Sequence, residues 1–225
     1  MNRTIFEEGQ LLLIDKPYNW TSFAVIKLLR SILKIQKIGH AGTLDPLATG
    51  LLIVCTGKFT KKINDYVAQE KEYTGTITLG ASTATFDKES EPENCRSTGD
   101  ITEERVIAAA NSLTGEIMQT PPSYSAIKID GKRAYKLARQ GGVIEMEARK
   151  VTINEFSTQY QNPDVKFKIV CSTGTYIRSM ANDLGEALGC GGYLSSLVRS
   201  RIGDFSLTEA RSMDETIAYI KSIIK

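Results

Sequence analysis

The sequence predicts an α+β domain built on a mixed, largely antiparallel sheet flanked by helices. Three observations carry this. Segments of strand length recur, some as continuous apolar runs (LLIVC, 51–55) and some alternating (KEYTGTITLG, 71–80). Stretches with a helical apolar stripe, such as 20–34 and 175–189, lie among them. Strands and helices follow one another irregularly, without the strand–helix–strand rhythm of a parallel α/β sheet.

Taken in order, QLLLID (10–15) reads as a short buried strand. WTSFAVIKLLRSILK (20–34) reads as a helix, capped by Thr21 or Ser22, with Val25, Ile26, Leu29, Ile32 and Leu33 on one stripe. LLIVC is a second buried strand, and 60–69 a short helix. In KEYTGTITLG, Tyr73, Gly75, Ile77 and Leu79 share one face and threonines take the other. The segment DKESEPENCRSTGD (87–100) is polar and turn-rich, which predicts a mobile loop. A helix is expected at 102–113, strands at 116–129 and 143–156, and a turn with a short basic helix at 130–142. DVKFKIVCS (164–172) reads as a strand, and TYIRSMANDLGEALG (175–189) as a helix closed by glycine.

At 225 residues the chain can bury a substantial core and make one large domain or two small ones; the irregular mix of strands and helices favours a single domain over 1–225. No apolar run reaches the roughly 20 residues a membrane helix needs. The start, MNRTIFEEG, has no apolar signal core. Four scattered cysteines without a CxxC pair suit a reduced, cytoplasmic protein. One histidine and no clustered thiols speak against a zinc site, and neither a P-loop nor GxGxxG occurs. Net charge is +2, but unevenly spread. Residues 16–62 carry eight Lys/Arg against Asp45 alone; residues 128–150 carry seven against three acids; residues 87–104 carry seven acids against Lys88 and Arg96. A polyanion bound on one side accounts for this asymmetry; a patchy solvated surface is the plainer reading.

The stretch GHAGTLDPLATGLLIVCTG (39–57) holds the only histidine, His40, and the isolated carboxylate Asp45. Pro46 pushes Asp45 out of the helical region, and Gly42 and Gly50 permit sharp reversals or close backbone approach. Asp45 is thus expected at a turn, capping one helical turn to Thr49 and anchored by the strand behind it. It is either a turn and cap residue only or a rigidly mounted catalytic group. Arg178 is the companion candidate. It falls in the first turn of its helix, where a cation opposes the dipole, and position 182 is Asn rather than an acid. It is either solvated or reaches out to an anion, in the sharper reading a bidentate pair with Asp45 that keeps the carboxylate ionised. Tyr73 is a core residue or one that stacks on a base or accepts a proton, and His40 an ordinary hydrogen-bonding group or a contact to phosphate or a base. Lys132, Lys136 and Arg139 share a helix face beside Tyr135, as a plain surface or a phosphate-gripping one.

GHAGTLDPLATGLL strongly resembles the signature of the TruB family, the tRNA pseudouridine synthases that modify the T-loop uridine at tRNA position 55. The likeness extends through LLLIDKPYNWTSF, KEYTGTITLGASTATFD, PPSYSAIKIDGKRAYKLARQG and CSTGTYIRSMANDLGEALGCGGYLSSLVRSRIGDF, from about residue 10 to 205. The resemblance implies a pseudouridine-synthase-type domain with an RNA-binding cleft, and an inserted RNA-binding segment at about 120–150. It implies that Asp45 is the essential carboxylate, that Tyr73 contacts the target base and that Arg178 partners Asp45. Leu197 would pack on the base, Tyr176 support the site, Lys16 and Pro17 lie at the pocket, and His40 contact the RNA loop. The family isomerises uridine with no cofactor or metal, so the expected partner is the T-arm stem-loop of tRNA, bound by a monomer. About twenty residues follow SRIGDF, so the usual C-terminal PUA-type module is expected to be absent or truncated. The inserted segment favours a stand-alone enzyme over the guide-RNA-dependent relatives. A non-catalytic RNA-binding protein and a structural domain are the competing readings.

Overall fold

The run Thr49–Thr56 is apolar on both sides because both of its faces are covered. The computed structural model describes residues 4–125, 127–129, 131–140 and 146–224, without the side chains of residues 128, 129, 132, 133 and 136. In chain order the elements are α1 (Thr4–Glu8), β1 (Leu11–Lys16), α2 (Ser22–Leu33), β2 (Ile38–Ala41), β3 (Thr49–Thr56), a 3-10 helix (Gly57–Lys62), α3 (Ile63–Ala68) and β4 (Lys71–Leu79). There follow β5 (Ser82–Thr83), β6 (Pro92–Glu93), α4 (Glu103–Ser112), β7 (Gly115–Gln119), β8 (Lys128–Ile129), β9 (Lys132–Arg133), α5 (Ala134–Ala138), β10 (Arg149–Gln161) and β11 (Asp164–Cys171). Last come α6 (Ile177–Leu188), β12 (Gly192–Ile202), β13 (Phe205–Ser206), a second 3-10 helix (Leu207–Glu209) and α7 (Met213–Ile224).

The chain forms two compact units: residues up to Thr74 together with those from Leu197, and Gly75–Ser196. In the first unit β3 is the hub. It pairs antiparallel with β1 and β2, and parallel with β12 at Val198↔Thr49 and Arg199↔Gly50. Leu52 and Val54 join Leu12, Ile14, Val25, Leu29, Leu33 and Ile220 in one cluster; Leu51, Ile53 and Cys55 join Ala41 and Ile202 in another. Alternation therefore survives in β3, with both faces buried, each large side chain contributing about 1.5–3 kcal/mol. Helix α2 starts where Thr21 accepts the Ala24 N–H at 2.9 Å and ends at Lys34 in the left-handed region (φ 57°).

The second unit is carried by antiparallel β7–β10–β11, with β4 beside β11. Helix α4 packs on β10 and on α6. Helix α6 closes on Gly189 at φ 76°, as its sequence predicts.

Several expected elements are resized. The strand expected at 116–129 ends at Gln119, because Pro121 and Pro122 have no N–H to donate to a ladder. Of the turn and short basic helix expected at 130–142, the described residues 131–140 hold β9 and the short helix α5, so Lys132 stands on a strand and not on one helix face with Lys136 and Arg139. Of the strand expected at 143–156, residues 143–145 lie outside the described residues, and β10 begins at Arg149 and runs on to Gln161. The helix at 60–69 divides into a 3-10 helix and α3. Segment 87–100 contains β6, paired with β5. The strand and helix patterns read in the sequence do not include α1, β2, β5, β12, β13, the 3-10 helix Leu207–Glu209 or α7. In α7 the signal was present: Ser212 and Glu215 bond each other's backbone N–H, Ser-x-x-Glu ahead of an apolar stripe. All four cysteines are thiols; Cys95 is exposed and Cys55, Cys171 and Cys190 are buried.

Candidate active site

In the first unit, Asp45 lies on the connection between β2 and β3. It sits in a four-residue turn closed by the Ala48 N–H on the Asp45 carbonyl at 3.1 Å. Pro46 holds the second position of that turn, where its fixed φ is favoured. The expected helical turn to Thr49 is absent because Thr49 already opens β3. The side chain of Asp45 is half-buried.

Four neighbouring residues pin this turn. Ser22 Oγ accepts the Leu44 N–H at 2.9 Å and donates to the Leu44 carbonyl at 3.2 Å. Lys16 is fully buried; its ammonium donates to the carbonyls of Pro17 (2.9 Å), Trp20 (2.6 Å) and Pro46 (3.4 Å). Asp15 Oδ1 accepts the Gly50 N–H at 3.1 Å. Arg199, 1% exposed, spans both flanks: Nε donates to the Leu51 carbonyl at 2.8 Å and Nη2 to the Gly42 carbonyl at 3.0 Å. The glycines are required. Gly42 has φ +81° and Gly50 φ +100°, and a Cβ on Gly50 would stand 2.5 Å from the Arg199 carbonyl oxygen.

The turn lies in a field of buried cations. Burial lowers the Lys16 ammonium to about 8; the Asp45 carboxylate opposes that shift, the Arg199 charge adds to it, and Asp15 opposes it. His40, half-buried on β2, is held below its usual value by burial and then by Arg199, against a bond with the Gly42 backbone. A neutral imidazole at pH 7 follows. Tyr73 is half-buried on β4, Leu197 is buried on β12, and Pro17 is half-buried beside Lys16. The first unit thus contains six of the expected residues: Lys16, Pro17, His40, Asp45, Tyr73 and Leu197.

The second unit contains Arg178 and Tyr176. Arg178 is in the first turn of α6 and 5% exposed, so the solvated reading is excluded. Nη1 donates to the Thr85 carbonyl and Nη2 to the Tyr124 carbonyl, both at 3.0 Å. Its Nε stands 3.6 Å from Oδ2 of Asp87, itself buried and bonded through Oδ1 to Thr85 Oγ1 (2.6 Å) and the Glu89 N–H (2.9 Å). The start of α6 is set by Gln119, wholly buried at the end of β7. Its side-chain oxygen accepts the Tyr176 N–H at 2.8 Å and its amide donates to the Tyr176 carbonyl at 3.1 Å. The Tyr176 ring lies 4.8 Å beneath the Arg149 guanidinium.

Arg139 is exposed and meets Glu89 at 2.7 Å, so the basic and acidic segments of the sequence touch here. Such an exposed pair contributes about 0–1 kcal/mol. The side chains of Lys132 and Lys136 lie outside the described residues. Residue-by-residue reading missed Arg199, Gln119 and Asp87. Arg199 carried a faint signal, an arginine between apolar residues of a strand; Gln119 and Asp87 carried none.

The geometry offers a carboxylate on a rigid turn among buried cations. The profile of the TruB family pseudouridylate synthases (N-terminal domain) matches residues 30–177. The chain is 50% identical over 211 residues to the tRNA pseudouridine synthase B of Flavobacterium johnsoniae, covering 90% of this chain and 92% of that one. It is 48% identical over 217 residues to that of Chlorobaculum tepidum, covering 94% and 90%. Among solved structures it is similar to a chain of a Cbf5–Nop10–Gar1 complex, with TM-score 0.75 and 27% identity over 97% of this chain. It is also similar to a chain of an H/ACA RNP bound to a substrate RNA containing 2′-deoxyuridine, with TM-score 0.71 and 26% identity over 95% of this chain. It spans 56% and 54% of those two chains, about half their length.

Proposed function

The chain belongs to the TruB family of pseudouridylate synthases and is a tRNA pseudouridine synthase, an isomerase; from that premise we propose that it converts uridine 55 in the T-loop of tRNA, with Asp45 as the essential carboxylate and no cofactor. It has the pseudouridine synthase fold, mixed and mostly antiparallel in its sheet. The observation that carries the proposal is the mounting of Asp45: a turn held on both flanks by buried Lys16, Ser22 and Arg199, as a group that must meet a ribose carbon within a fraction of an ångström requires.

The reaction breaks the N1–C1′ bond of uridine, turns the uracil and joins C5 to C1′. A proton leaves C5 and one is gained at N1, so the atoms balance without a co-reactant. The target is everted from its loop to reach the site. Ionised Asp45 acts at the ribose as C1′ loses its bond to nitrogen, with the Lys16 charge nearby. Arg178 partners Asp45, Tyr73 and Leu197 receive the base, and Tyr176 supports them. Pro17 lines the pocket. His40 contacts the RNA loop, and Lys132, Lys136 and Arg139 hold its phosphates. No helix among the described residues is long and apolar enough to cross a membrane; with tRNA as substrate, we place the enzyme in the cytoplasm.

The test is pseudouridine mapping after incubation with a T-arm stem-loop. Wild type should modify one uridine. Asp45→Asn should lower turnover by at least about 10³-fold while Kd for the RNA stays within about threefold. Near-wild-type turnover in that variant would falsify the assignment of Asp45.

A further inference from the structure

One exposed surface of the first unit is not used by the chemistry. Among the described residues only four large hydrophobic side chains are strongly exposed, and two of them, Tyr18 (55%) and Phe23 (63%), lie five residues apart on either side of the entry to α2. Both are tied to the Asp45 turn through their neighbours. The Lys16 ammonium holds the Pro17 and Trp20 carbonyls, one on each side of Tyr18–Asn19, and also the Pro46 carbonyl. Asn19 turns the loop at φ 61°. Ser22, next to Phe23, bonds Leu44, next to Asp45. Two aromatic rings are therefore displayed on rigid backbone one residue from contacts flanking the catalytic carboxylate.

Phe23 also opens a stripe. Lys27 follows it at i+4 on α2 and Lys34 at i+11 as the residue that closes the helix, both exposed, at roughly 6 and 16 Å along the helix axis. Arg30 shares the stripe but is half-buried and donates to the Ile38 carbonyl, so it is part of the scaffold. The stripe ends beside a shallow pocket of about 270 Å³ lined by Lys34, Gln36, Lys37 and Glu7. Apart from Glu7, acids are scarce here: Asp45 is the only one between residues 16 and 62. An aromatic ring followed by spaced cations fits unpaired nucleic acid, bases stacking and phosphates tracking the charges. An apolar protein partner would need no such cations.

We propose that Tyr18, Phe23, Lys27 and Lys34 form a platform for unpaired RNA: a nucleotide next to the everted uridine stacks on the Tyr18/Phe23 edge, and the phosphates beyond it ride along α2. This rests on the reading of the chain as a T-loop isomerase acting at Asp45. The platform adds affinity and holds the loop open while its target is out of the stack.

The test uses the full chain, its Asp45→Asn form for equilibrium binding, and a T-arm stem-loop with 2-aminopurine beside the target. Wild-type turnover of the unlabelled RNA is measured first; its absence would defeat the isomerase reading and leaves the binding comparison standing. Phe23→Ala should raise Kd about tenfold and abolish 2-aminopurine quenching; Phe23→Trp should restore both. Lys27→Gln with Lys34→Gln should flatten the slope of log K against log salt by about 1.4. Phe23 is exposed, so melting temperatures should be unchanged, and Phe23→Leu controls for packing. Unchanged Kd, quenching and salt slope in these variants would overturn the platform. So would loss of binding to phosphatidylglycerol vesicles with RNA affinity intact, which would assign the surface to lipid.

Discussion

Lys16 shows most clearly how a single residue ties separate segments of the fold to the Asp45 turn. Its ammonium is buried, bonds three carbonyls, and its pKa is lowered to about 8 from 10.5. The unfolded chain holds that proton more tightly, so this group's burial penalty is present in full below about pH 8 and is relieved as pH rises towards 10.5. The span corresponds to about 3 kcal/mol. Activity should move the other way: deprotonation removes a charge near Asp45 and a donor from the turn. We expect kcat to fall on an alkaline limb with apparent pKa near 8, and Lys16→Met to be slow at every pH and to lack that limb. A limb unchanged in Lys16→Met would assign it to another group. At this scale placement was legible where a residue's type conflicts with its surroundings: Asp45 stands at the turn that Pro46 predicts, and Arg178 at its helix start is buried and not solvated. Gln119 acts through two backbone bonds 57 residues away, and nothing local in EIMQT announces that.

Among the elements, glycines separate two kinds of constraint. Gly50 and Gly189 both have positive φ, but a Cβ on Gly50 would strike the Arg199 backbone, whereas one on Gly189 meets nothing within 4 Å. Gly189→Ala should cost only the left-handed penalty, about 1 kcal/mol. Gly50→Ala must also push β3 from β12 and should cost at least about 3 kcal/mol, measured by urea unfolding; equal costs would show that the β3–β12 register is not rigid. The start of α6 gives a second case. Gln119→Leu leaves the N–H of Tyr176 without its partner, while the Tyr176 carbonyl keeps the Met180 N–H at 3.2 Å, and should cost about 1–3 kcal/mol, with turnover falling more than RNA affinity. Strands with one strict pattern were readable from sequence: β3 as an apolar run, β4 as an alternation. Strand β12 was not, because its buried positions change phase, Gly192 and Leu194 on one parity and Leu197 and Arg199 on the other, across exposed Ser196. A slip of one residue erases a period-2 signal.

For the whole molecule, the division into two units falls inside strands, between Thr74 and Gly75 in β4 and between Ser196 and Leu197 in β12. Sequence reading finds boundaries by linker composition, and neither place has any. The charge distribution was legible, although Arg139 paired with Glu89 shows that blocks distant in sequence can partly neutralise each other. The four thiols follow the same logic of burial. Cys55, Cys171 and Cys190 are enclosed, with the Cys55 thiol pushed up to about 11, and Cys95 alone faces water. A maleimide should therefore add once to the native chain at pH 7 and four times after denaturation, as mass spectrometry would count; two native adducts would reveal an opening in the core. The unaltered polypeptide thus brings its own attachment point for a fluorophore, in the acidic stretch after β4. A slowing of the dye's fast local anisotropy decay on adding tRNA, apart from the slower tumbling of the complex, would report ordering of that stretch without any engineered cysteine.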